Sequence, residues 1–129
     1  MYRKIGQLFA YCAVVLFAYS AMAHEMTPTY PKLYPSHLDG VYKATVEVFN
    51  RRQDVEYYEL GVFDKDFNPV PFVTTYRIVK VTYLSHVSID VYVREEDVTT
   101  SVYICSQSKL RKDTSVRTAV ASRICSKFK

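Results

Sequence analysis

The residues of this chain best equipped for chemistry are its cysteines and histidines. Cys105 and Cys125 lie in two alternating stretches joined by a basic segment. Strand side chains point to opposite faces with period two. Val102 and Ile104 therefore share one face of the first stretch, and Tyr103 and Cys105 the other. In the second, Val116, Val120, Ile124 and Phe128 form an apolar row, opposite Arg117, Arg123, Cys125 and Lys127. If the two stretches pair as an antiparallel hairpin, both cysteines fall on the non-core face together and a Cys105–Cys125 disulfide is expected. Closing a loop of about twenty residues stabilises a domain by roughly 3 kcal/mol in the chain-entropy treatment.

The histidines offer a different chemistry. Cleavage after Ala23 would make His24 a new N-terminus, whose α-amino group and imidazole could chelate a copper ion, since nitrogen ligands suit Cu(II). His37 or His86 would have to supply a further ligand, and neither stands in a metal-binding motif. Asp64-Lys65-Asp66-Phe67-Asn68 has the alternating oxygens of a calcium loop. Pro69 replaces the glycine such a loop needs, and Thr75 stands where a bidentate glutamate belongs. No Ser/His/Asp spacing, glycine-rich phosphate loop or paired carboxylates stand out. The expectation is therefore a non-enzymatic protein with no cofactor, and copper binding through His24, His37 and His86 is the alternative.

The positioning elements begin after a leader. Arg3 and Lys4 precede a largely apolar run from Ile5 to Phe17, and Ala21-Met22-Ala23 supplies small residues at a cleavage site. This is the pattern of a signal peptide over 1–23, and the run falls short of the ~20 residues a membrane span needs. Export to the periplasm or the extracellular space follows, and an oxidising compartment favours pairing the two remaining cysteines. Without Arg3 and Lys4, the seventeen basic residues become fifteen against thirteen acids. So small an excess gives no global drive towards nucleic acid. The distribution is uneven, however: from Lys109 onward seven basic residues face Asp113 alone.

Residues 24–129 read as one all-β domain. Glu25 to Leu38 carries Pro28, Pro31 and Pro35, which suits an irregular edge strand because proline lacks an N–H for a central ladder. Asp39-Gly40 signals a turn, and Val41 to Asn50 alternates strongly. Asn50 to Asp54 makes the next turn, followed by strands over Val55–Phe63, Tyr76–Tyr83 and Ile89–Val93. Arg94 to Asp97 reads as a charged bend and His86 as part of a turn. No segment has a convincing 3.6-residue apolar period. About seven short strands at regular spacing predict an antiparallel β-sandwich.

Several short motifs resemble the immunoglobulin-like N-terminal domain of periplasmic pilus-assembly chaperones. They are Met26-Thr27-Pro28-Thr29, Pro35-Ser36, the alternating strand Val41 to Phe49 ending in Asn50, and Tyr57 to Asp64 beyond a polar turn. One branch of that family joins its last two strands by a disulfide, which corresponds to Cys105–Cys125. The resemblance implies a single immunoglobulin-like domain and a protein partner, with a terminal strand that lends apolar side chains by strand addition. By position, Val116, Val120 and Ile124 would form that row, with Arg117 and Arg123 beside it. The chain departs from the family by ending after one domain, and Thr118 and Ser122 interrupt the apolar row. An assembly chaperone-like module and a structural subunit are both compatible with this reading.

Overall fold

The computed structural model describes residues 23–110 and 120–129. The expected leader over 1–23 and the proposed Val116 and Arg117 contacts thus fall, Ala23 apart, outside the described residues. The first sheet orders its strands β1 (Glu25–Thr27), β3 (Val41–Phe49), β8 (His86–Arg94) and β6 (Val73–Thr74), and β2 (Tyr34–Pro35) also pairs with β3. The second orders β10 (Arg123–Lys127), β9 (Tyr103–Lys109), β4 (Tyr57–Phe63) and β5 (Pro69–Val70), with β7 (Ile78–Lys80) also on β4. Every pairing is antiparallel. This is an all-β, immunoglobulin-like sandwich.

Alternation in the sequence builds its core. On β3, Ala44, Val46 and Val48 are buried while Thr45 and Glu47 are exposed. Their partners on β8 are Val91, Ile89 and Val87, so both strands present their apolar rows to the same side. The second sheet answers with Tyr58, Leu60 and Val62 from β4 and Ile104 from β9. Burying each such side chain contributes roughly 1.5–3 kcal/mol.

Some boundaries differ from the sequence expectation. The strand expected over Tyr76–Tyr83 is shortened to β7, because the chain changes sheets here: Val73 and Thr74 pair with β8, and Ile78 to Lys80 pair with β4. Arg94 to Asp97 is not a plain bend. Glu95–Val98 forms a single helical turn, α1, and Arg94 just before it bridges Glu96 and Asp97. His86 does not lie in a turn but opens β8, opposite Phe49. The final strand, expected from Val116 to Phe128, spans only Arg123–Lys127 among the described residues.

Candidate interaction edge

Position in the sheet makes β10 special. Among the described residues it pairs with β9 on one side and with no other strand on the other. The register places Cys125 directly opposite Cys105, with Ile124 opposite Ser106 and Ser126 opposite Ile104. The two sulfurs form a disulfide with a Cα–Cα distance of 4.0 Å. Both cysteines belong to the outer face, as alternation requires. Cys105 is nonetheless only 2 % exposed, lying opposite Gly61 on β4. The Phe63 ring folds over that glycine, within 2.7 Å of where a Cβ would stand.

Backbone hydrogen bonds show which groups of β10 face outward. Ser108 N–H donates to the Ser122 carbonyl and Phe128 N–H to the Val102 carbonyl, so the even-numbered residues face β9. In an antiparallel ladder the intervening residues face the other way. Lys127 and Lys129 do so, and they donate to the carbonyls of Thr29 and Pro31. Both numbers rise together, so the chain beyond β1 crosses to the second sheet and runs parallel to the end of β10. Prolines at 28 and 31 suit a segment here that offers carbonyls rather than N–H groups. Upstream of this cover, Arg123 and Cys125 direct their backbone groups to an edge that no other described strand pairs with. An unpaired strand edge is a ready template for another chain.

A buried polar network fixes the approach to this edge. Asn50, fully buried, donates through Nδ2 to the carbonyls of Val55 (2.7 Å) and Val81 (2.8 Å). Its Oδ1 accepts from Arg52 N–H and from the Tyr58 hydroxyl. The Arg52 side chain, 5 % exposed, holds Asp54 in two hydrogen bonds of 2.9 and 2.6 Å. It also donates to the Val120 carbonyl (2.7 Å) and to Ser122 Oγ (3.2 Å). Bidentate guanidinium–carboxylate pairing is both strong and directional. The cation is thereby aimed at the two residues that lead into β10.

His24 completes the network from the opposite sheet. Its ring is buried, packs on Tyr58 at 4.4 Å, and meets Ser122 Oγ through Nδ1 at 2.9 Å. Nε2 lies 2.7 Å from Ser106 Oγ and 3.1 Å from the Ser106 carbonyl. A carbonyl only accepts, so bonding to it requires the proton on Nε2 and leaves Nδ1 of the neutral ring to accept from Ser122. Burial holds the imidazole below the ordinary histidine value; the Arg52 charge acts in the same direction and the Ser106 carbonyl against it. Burial also pushes the Tyr58 hydroxyl up to about 12, which keeps it a neutral donor.

The residues singled out in the sequence are therefore placed very differently. Ile124 lies on the inner face of β10 and packs, half-buried, against the protein's own core. Val120 precedes the strand, 54 % exposed, and contributes a carbonyl rather than a side chain to the network. Arg123 stands on the outer face with its guanidinium 4.8 Å from the Phe63 ring centre. His37 is exposed between β2 and β3, and His86 is exposed at the start of β8. Both His24 ring nitrogens are engaged, and no group of three or more His, Cys, Asp or Glu side chains converges among the described residues. The Asp64 carboxylate serves its own loop, accepting from the N–H groups of Asp66 and Asn68.

No protein-family model and no curated protein matches the chain. Solved structures do. The crystal structure of the E. coli chaperone DraB superposes with a TM-score of 0.61 at 18% identity, covering 82% of this chain and 53% of that one. The periplasmic chaperone SfaE superposes with a TM-score of 0.52 at 12% identity, covering 82% and 56%. The chain spans about half the length of each, and at such identity the likeness is one of fold. This protein has the immunoglobulin-like sandwich fold that periplasmic pilus chaperones contain.

Proposed function

We propose that this protein is exported and acts as a non-enzymatic interaction module, either assembly chaperone-like or a structural subunit, binding another protein through the open edge of β10. The observation that carries this reading is the pair of outward-facing residues, Arg123 and Cys125, on a strand that turns Ile124 and Ser126 inward and that the segment after Pro28 covers from Lys127 onward among the described residues. Added backbone bonds would supply affinity, and alternating side chains would set the register. The disulfide and the Arg52–Ser122 contact hold this strand in place without covering its edge. The fold shared with periplasmic chaperones supports both the partner class and the compartment.

Native mass spectrometry of protein exported with its own leader tests the proposal. The expected result is a mass beginning at His24, lower by the two hydrogens lost in the disulfide, with a second chain bound. Arg123→Pro removes an outward N–H without touching the β9 ladder, and a proline is tolerated on a sheet edge. A folded Arg123→Pro protein should lose the partner. Folded Arg123→Pro and Ile124→Asp proteins that keep the partner at wild-type occupancy would overturn the edge as the binding site.

A further inference from the structure

The outer face of β10 says what kind of strand fits its edge. Register and alternation put Arg123, Cys125 and Lys127 in one row on that face. Among the described residues neither Arg123 nor Lys127 has an acidic partner within salt-bridge distance. The row running inward from Arg123 continues through Gln107 to Glu59. Glu59 is occupied by Lys109 at 2.6 Å. The Arg123 guanidinium lies 4.8 Å from the Phe63 ring centre, a cation–π contact that positions the charge on the outer face. The open part of the edge thus carries one cation, Arg123, without an acidic partner among the described residues, beside the outward backbone groups of Arg123 and Cys125.

A strand added to this edge sets its side chains directly opposite those of β10, where opposite charges attract and like charges repel. From this complementarity we propose that the natural occupant of the edge is an extended segment of a partner protein that alternates apolar with acidic residues. A carboxylate of that segment lies on the outer face against Arg123, and the flanking apolar side chains lie inward beside Ile124. This rests on the edge reading above and adds the chemistry of the partner. It also fixes orientation: a register slip of one residue would turn the carboxylates towards the sandwich interior, where they would be desolvated and unpaired. Because the segment after Pro28 already covers the edge at Lys127, the carboxylate opposite Arg123 is the one that gains a cross-strand cation.

Three synthetic capped peptides test this, with the common alternation Val-X-Val-X-Val and X as glutamate, glutamine or lysine. Each is titrated into the isotope-labelled protein while backbone amide signals are followed. The glutamate peptide should shift the Arg123 and Cys125 amides and bind about five-fold more tightly per engaged pair than the glutamine peptide, the upper range for cross-strand charge pairs. The lysine peptide should bind most weakly. In the Arg123→Glu protein, whose change lies on an exposed face, the order should reverse.

Equal binding of all three peptides at those amides would leave the edge reading standing and overturn the acidic partner. A glutamate preference that persists in the Arg123→Glu protein would assign the preference to overall charge and likewise overturn it. Glutamate-peptide shifts confined to other residues would overturn the edge as the site. Shifts by none of the peptides would count against both.

Discussion

Asn50→Ala should be among the most damaging single changes available to this protein, although it removes a small side chain from what reads as a turn. The amide uses all of its capacity: two donated bonds to the Val55 and Val81 carbonyls, and two accepted from Arg52 N–H and Tyr58 hydroxyl. Truncation strands four polar groups in a site with no exposed surface at Asn50. A buried group left unsatisfied costs about 1–3 kcal/mol. Taking the low end for each gives a loss of about 4 kcal/mol, a large part of the ~5–15 kcal/mol that holds a typical domain together. Tyr58→Phe strands no partner, because Asn50 Oδ1 still accepts from Arg52, and should cost only about 1 kcal/mol. Urea denaturation with the disulfide intact measures both variants, with the slope unchanged if only stability has moved. An Asn50→Ala loss below about 1.5 kcal/mol, or one no larger than that of Tyr58→Phe, would refute the reasoning.

Two further outcomes follow from the same geometry. His24 has a folded value depressed below the 6.5 of the free side chain, so the unfolded chain takes up its proton first as pH falls. Its contribution is fully present above pH 6.5 and declines as pH drops through the folded value; thermal unfolding of wild type and His24→Gln across this range should show a steeper acid-side loss in the wild type, and parallel curves would contradict it. Reducing the disulfide, or replacing both cysteines with alanine, should cost roughly 3 kcal/mol for a separation of 20 residues. A denaturant midpoint unmoved by reduction would show that the bridge does not staple β10 to β9.

The sandwich was legible because its strands obey period two. Val41–Phe49 announces itself through Ala44, Val46 and Val48, and the same alternation carried Cys105 and Cys125 onto one face. The network was not legible, since its members are scattered through segments whose composition signals only turns. Asn50, Arg52 and Asp54 look like a polar connection, and nothing local indicates that Arg52 reaches Val120 or that His24 reaches Ser122. The one available signal was Asn50 closing a strongly apolar strand. The extent of the open edge was equally hidden. It depends on the segment after Pro28 crossing between sheets to cover Lys127 and Lys129, a tertiary event that the prolines permit without specifying. Val120 shows the limit of pattern reading: its place in an apolar row is real in the sequence, but the carbonyl is what the fold uses.

Amide-resolved hydrogen exchange on the free protein and on its partner complex tests the open edge most directly. In the free protein, Ile124, Ser126 and Phe128, which face β9, and Lys127, bonded to Thr29, should exchange slowly. Arg123 and Cys125 should exchange fast, and both should become protected in the complex. Slow exchange at those two positions in the free protein, or no gain in protection with the partner bound, would contradict the edge as the place where this protein meets another.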